Sequence, residues 1–273
     1  MTHRTKAVTR GESRLIRALR RKLKQLASTA AVLVVAQVPV RLLGKVDDGE
    51  AERIAAQAAL AAIEGTDWNL LINPTEEELT TVALDGAKQA LLRIGITDEG
   101  IVEQVFELSR EWARERAAEL VGMRYNDVGD LVDNPNAAFR ITDIARAEIA
   151  DKVKEAIQEG WSADDLADEI KSIGSFSDER AEMIARTEII RANNEGHLIA
   201  FKGSGVVQQK AWSTAEDGDV CDVCEENEAQ GPIGLDDAFA SGDDAAPAHP
   251  NCRCTIIAVV EDQEETVREP GGA

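Results

Sequence analysis

The sequence predicts a mainly α protein, with a helical N-terminal region followed by a small α+β C-terminal domain stapled by cysteine and histidine. Three observations predict it. Apolar residues make up 44% of the chain and are mostly Ala, Leu, Ile and Val, while aromatics reach only 4% and charged residues 30%; that composition favours helices over sheets. Apolar positions recur at steps of three and four through the first two hundred residues. After Gly205 the pattern changes to two β-branched runs, and every cysteine lies between them.

The first helix is marked by Leu15, Leu19, Leu23, Leu26, Ala30 and Leu33, one apolar stripe, with Arg14, Arg17, Arg20, Arg21, Lys22 and Lys24 on the remaining faces. Pro39 is expected to end it. A second helix is predicted over about Asp48–Glu64, stopped by Gly65. Asn73-Pro74-Thr75 followed by Glu78 reads as a proline-marked start with a Thr75/Glu78 capping box, for a helix reaching about Arg93. Thr97 or Asp98 opens a fourth, with Ile101, Val105, Leu108 and Trp112 on one face and an end near Gly122.

Residues Tyr125 to Ala138 are rich in Gly, Pro, Asn and Asp and read as a loop, the best candidate boundary between domains. Three more helices follow, about Thr142–Glu159, Ser162–Ser172 with a Ser162/Asp165 cap, and Ser177–Phe201. Val206–Trp212 and Thr255–Val260 are each about one strand long. The expected division is thus 1–45 a basic amphipathic arm, 46–140 a helical domain, 141–262 the C-terminal domain and 263–273 a tail. No run of eighteen apolar residues exists, so no membrane span is expected.

Charge is split along the chain. Residues 1–45 hold eleven Lys or Arg and one acid, Glu12, a net +10 within a total of −21, so the remainder carries −31. An acidic body of that size disfavours DNA binding by the main surface, because phosphates are repelled. For the basic helix two alternatives stand. It packs on the protein's own acidic body or a partner subunit, or it reaches DNA, becoming ordered only when docked. The stretch Ala30–Ala36 superficially resembles a signal peptide but lacks a small-x-small cleavage site directly after it. A reducing bacterial cytoplasm is therefore expected during synthesis, where cysteines are more often ligands than disulfides.

Cys221 and Cys224 form a CxxC, and His249, Cys252 and Cys254 form an HxxCxC, with 24 residues between the two groups. A CxxC brings two thiolates to one point, and a second pair from a distant segment completes a tetrahedron. A structural zinc would supply the stability that a small sheet with few aromatics lacks. Five candidate ligands serve four positions. If residues 252–254 begin the final strand, Cys252 and Cys254 face the metal together and His249 stands behind them. If His249-x-x-Cys252 forms its own knuckle, His249 binds with one cysteine.

Ala185-Arg186-Thr187-Glu188, then Asn193, Gly196, Gly205, Trp212, the Asp219–Cys224 segment and His249-Pro250-Asn251-Cys252-Arg253-Cys254, in that order, resemble the phage Mu F-like domain of head morphogenesis proteins. The resemblance covers roughly residues 142–260. It implies a minor head protein near the portal vertex, present in few copies and associated with head assembly, DNA packaging or genome delivery. Its implied partners are the portal protein and other head proteins, with genomic DNA as a further candidate through the basic arm. Implied too is a life in the host cytoplasm during assembly and then in the virion. This chain departs from the family in its very acidic loop Glu225–Ala248, whose single large aromatic is Phe239. Arg186 and Glu188 are open to two readings, an ion-pair face with Glu182 four residues from Arg186 or a structural role particular to the family.

Other chemistry finds little support. There is no Walker-type phosphate loop. Of three histidines, His3 lies in the basic arm and His197 is expected on a helix surface, so no hydrolytic triad assembles. Asp236-Asp237 and Asp243-Asp244 lack calcium-loop spacing. An enzyme or a small-molecule binder is therefore not expected. The rivals are a metal-dependent nuclease and a cytosolic zinc-ribbon adaptor.

Overall fold

A computed structural model describes residues 5–38, 47–137, 140–215, 218 and 220–260. The Pro39 stop and the tail at 263–273 lie outside these. The described residues form eight α-helices, a two-stranded hairpin and a three-stranded sheet.

Helix α1 (Lys6–Gln37) is capped by the Thr5 hydroxyl, which accepts from Val8 N. Its predicted stripe is buried: Leu15, Leu19, Leu23, Leu26 and Ala30 are at most 2% exposed, and Leu33 is partly buried. The stripe packs against α2 (Asp48–Gly65), α3 (Ile72–Arg93), α6 (Ala163–Ser172) and α7 (Asp178–Ser204). This corrects the expectation of a helix ordered only when docked. Removing that much apolar surface from water, at about 25 cal/mol per Å², needs no outside partner when the chain's own helices cover it.

The polar faces of α1 add ion pairs with the acidic body. Arg14 Nε lies 2.9 Å from Glu78, Lys24 Nζ 3.1 Å from Asp178, and Arg20 Nη2 3.4 Å from Glu182. Each is partly exposed and contributes little alone.

Helices on both sides of residue 140 share this core. The pair α2 and α5 (Ile141–Glu159) pack together, and α3 against α7 is the most extensive contact in the molecule. That crossing is close because small residues line it. A Cβ on Gly196 would overlap the Ala83 carbonyl oxygen and come within 2.8 Å of Ala87 N. Trp68 stacks on Phe176 across the same core, centroids 6.0 Å apart.

Three local expectations are corrected. Helix α3 begins at Ile72, directly after a 3-10 turn over Trp68–Leu71, so Pro74 sits inside its first turn, where a missing N–H costs nothing. No Thr75/Glu78 box forms; the Thr75 hydroxyl donates to Leu71 O and Glu78 pairs with Arg14. In α4 (Glu99–Glu119) Val105, Ser109, Ala113 and Ala117 are buried while Leu108 is 42% exposed. Small side chains let this helix approach its neighbours closely, so size rather than hydropathy selects its inner face.

The third correction concerns the loop at 125–138, which holds a short hairpin of β1 (Met123–Tyr125) and β2 (Leu131–Asp133). Its turn is made by the Asn126 side chain, which accepts from Val128 N and Asp130 N, and by Gly129 at φ +86°. The turn formers were legible, but not the pairing. No helix of the described residues is long and apolar enough to cross a membrane.

After α7, which ends at Gly205 in the left-handed region, the chain forms β3 (Gln209–Ser213), α8 (Asp222–Ala229), β4 (Ile233–Gly234) and β5 (Thr255–Val259). The sheet is antiparallel in the order β4-β3-β5. A second buried cluster joins it to the C-terminal half of α7 and the ends of α3 and α4. The sheet therefore rests on helices from both halves of the chain.

Candidate metal centre

The two cysteine clusters meet between α8 and the approach to β5. Cys221 is the N-cap residue of α8 and Cys224 lies in its first turn, a helix the sequence reading did not anticipate in this acidic stretch. Asp222 and Glu225 stand in that first turn, where negative charge complements the unpaired N–H groups. On the other side, Cys252 N donates to His249 O at 3.2 Å and Asn251 takes φ +61°. His249-Pro250-Asn251-Cys252 is thus a turn of its own, and β5 begins only at Thr255. The geometry matches the knuckle alternative rather than the one in which residues 252–254 already belong to the strand.

All five predicted donors come together. His249 Nε2 lies 3.2 Å from Cys221 Sγ and 3.3 Å from Cys224 Sγ, and Cys224 Sγ lies 3.7 Å from Cys252 Sγ. Cys221, Cys224 and His249 form one group with all donor atoms within 4.8 Å; Cys224, Cys252 and Cys254 form another, sharing Cys224. No cysteine is in a disulfide. His249 Nδ1 is 2.9 Å from Pro250 O, so a proton there is donated to the carbonyl and Nε2 presents its lone pair to the sulfurs.

These distances suit a metal ion. Around a tetrahedral ion with metal–sulfur bonds of about 2.3 Å, two sulfurs stand roughly 3.8 Å apart, close to the Cys224–Cys252 spacing. Soft sulfur donors with one imidazole are the set such ions take. The free space at the cluster is about 20 Å³, roughly one water-sized sphere, which leaves no room for a substrate. The buried thiols ionise unevenly. Burial pushes Cys224 up to about 12, while the hydrogen bond from Cys254 and other contacts lower Cys252 to about 5.

Asn194, which the sequence reading passed over, and the Ala185–Glu188 segment hold the centre in place. Asn194 of α7 is 1% exposed. Its Oδ1 accepts from Ile256 N at 2.9 Å and from the Thr255 hydroxyl at 2.8 Å, and its Nδ2 donates to Cys254 O at 3.2 Å. The Thr187 hydroxyl accepts from Asn251 N at 3.1 Å. Glu188 is buried and pairs with Arg116 of α4, while Arg186 pairs with Glu182 and, at 3.2 Å, with Glu12 of α1. The Ala185–Glu188 segment therefore ties the His249–Cys252 turn, α1 and α4 to one helix.

Phe239, the single large aromatic of the acidic loop, is 3% exposed and meets Trp212 edge-on at 5.1 Å. That loop also closes over Lys210, which is fully buried; its Nζ donates to Leu235 O at 2.9 Å and lies 5.5 Å from the Phe239 ring. Burial holds the Lys210 ammonium below its ordinary pKa, against the pull of Asp244. His197 is corrected: it is 5% exposed and bonded to the Ile256 backbone of β5, not on a helix surface. Of the six cations predicted as contacts, Arg14, Arg20 and Lys24 are engaged by the chain's own acids. Arg17 and Arg21 are exposed on α1, with Lys22 half-buried beside them.

No curated protein and no solved structure matches the chain. Residues 147–257 match the family model described as phage Mu protein F like protein, a span that begins within α5 and ends in β5 and so encloses the whole metal centre and the helix that supports it. Over these residues the chain is similar to the phage Mu F-like proteins.

Proposed function

We propose that the protein is a structural minor head protein of a tailed bacteriophage, acting near the portal vertex in head assembly, DNA packaging or genome delivery. One structural zinc would lock its C-terminal domain. The observation that carries this is the coincidence of the Mu F-like segment with a closed Cys/His cluster. Cys221, Cys224, His249 and Cys252 are the proposed ligands, because the short donor spacings run among these four. Cys254 then stands behind Cys252 as a hydrogen-bonding neighbour. Such a site has all four positions taken by protein and does no chemistry.

The proposed partners are the portal protein and other head proteins, met in the host cytoplasm during assembly and kept in the virion. Arg17, Arg21 and Lys22, with no ion pair among the described residues, are the candidate DNA contacts. The test is reconstitution: the purified chain should co-sediment with portal assemblies and carry about one zinc, the count for a single structural site. DNA binding through α1 should fall steeply with salt and weaken in Arg17→Ala/Arg21→Ala. Metal-dependent nicking of plasmid DNA, or metal-free protein with two disulfides, would overturn the proposal.

A further inference from the structure

Strand β5 is the edge of its sheet, and its outer side is only half covered. Ile256 N donates to Asn194 Oδ1 rather than to Trp212, its register partner on β3. Trp212 and Ile256 are therefore a non-hydrogen-bonded pair, and two residues on Lys210 and Ala258 are another. The N–H and C=O of Ala258 thus point away from β3, beyond the stretch that Asn194 covers.

Beside them lies a cavity of about 250 Å³, lined by Arg93 of α3 and Ile94 just after it, His197 and Phe201 of α7, and Ile257 and Val260 among others. Among the described residues its lining is apolar apart from Arg93 and His197, with no carboxylate. His197 is 5% exposed, and its Nδ1 has no hydrogen-bond partner among the described residues. The Ile256 backbone bonds the ring and favours its protonated nitrogen, which leaves Nδ1 as an unfilled acceptor. Arg93 is exposed at the mouth without an ion pair among the described residues. A buried acceptor, an open strand edge, an apolar hole and an unpaired cation thus stand side by side.

We propose that this edge receives an extended acidic segment of a partner protein by strand addition, with its backbone on Ala258, one apolar side chain in the cavity and a carboxylate on Arg93. Main-chain hydrogen bonds would hold the segment, and the cavity and Arg93 would select it. A carboxylate is paired at this mouth, whereas a lysine would face Arg93. The repulsion of the −21 chain acts over longer distances and is screened beyond about 8 Å at physiological salt. This inference is independent of the metal centre and of the role in the head.

The experiment uses the full chain and a fluorescein-labelled hexapeptide, Glu-Val-Glu-Val-Glu-Val, followed by anisotropy in 150 mM salt. Two variants test the mode. Ala258→Pro removes an N–H that β3 does not use, a position where an edge strand tolerates proline, and Arg93→Glu reverses the charge at the mouth. Each should weaken binding at least tenfold with an unchanged melting midpoint. A Lys-Val hexapeptide, drawn to the acidic surface at large, should be indifferent to Ala258→Pro. Equal binding by the parent and both variants would overturn the proposal. So would binding that emerges only when residues 261–273 are deleted, which would make the chain's own terminus the occupant. A dimer in sedimentation that Ala258→Pro dissolves would make the occupant a second copy, with the same consequence.

Discussion

Arg116 of α4 grips Glu188 of α7 with two parallel hydrogen bonds, Nε to Oε2 and Nη2 to Oε1, both 2.8 Å. The carboxylate is 5% exposed and the guanidinium 16%. A third contact, Arg116 Nη1 to Glu119 at 2.7 Å, fills the fork. The pair joins a helix outside the Mu F-like match to the helix at its centre.

Breaking that pair should be costly, because the buried Glu188 carboxylate keeps only the longer contact to Arg191, at 3.6 Å. Arg116→Ala is expected to destabilise the protein by about 3–5 kcal/mol, read from urea unfolding. Replacing both partners, as Arg116→Met with Glu188→Leu, should cost much less. Equal losses for the single and double variants would show that the ion pair itself supplies the stability.

The α3/α7 crossing has no room for a methyl group. Gly196→Ala places a Cβ against the α3 backbone at Ala83 and Ala87, and backbone cannot rotate away. A loss of about 3 kcal/mol is expected, the upper end for overpacking. Gly95→Ala meets no atom within 4 Å, although its φ of +76° adds strain, and serves as the comparison. A smaller effect at Gly196 than at Gly95 would contradict the packing described.

His197 should make the protein acid-sensitive. Burial, with Arg93 adding to it, depresses its pKa from 6.5 to about 4, so the folded state holds the ring neutral. Its stabilising contribution is full above pH 6.5 and is lost as pH falls through 6.5 toward 4, because the unfolded chain takes up the proton first. The total is on the order of 3 kcal/mol across that window. The stability difference between the parent and His197→Gln should therefore shrink as pH falls from 7 to 4. A difference independent of pH would rule out a buried neutral imidazole.

Metal removal should loosen one region and spare the rest. The helical core of α1 to α7 is built without the cysteines, while α8 and the His249–Cys252 turn meet chiefly through the proposed ligands. Chelation should expose residues 214–252 to limited proteolysis and leave most of the helical circular-dichroism signal. Cys224→Ser should behave like chelated protein, and Cys254→Ser should retain the metal. Loss of metal from Cys254→Ser would place that thiol among the ligands.

Much of this was written locally. Helix α1, the Ser162/Asp165 cap and the strands near Val206–Trp212 and Thr255–Val260 follow from periodicity and capping chemistry, which act over a few residues and need no tertiary knowledge. The five candidate donors were legible for the same reason, as their spacing is a property of the chain. What the sequence left open depended on neighbours. Whether α1 stands apart or lies in the core was decided by which surface covers its leucines. The inner face of α4 was decided by how near α3 and α7 come, and the burial of His197 by the passage of β5 beside it. His249 gained its place among the sulfurs from the turn that Asn251 makes against Thr187. Local patterns specify which elements form; only the packed structure decides which of their faces meet, because burial depends on atoms far away in sequence.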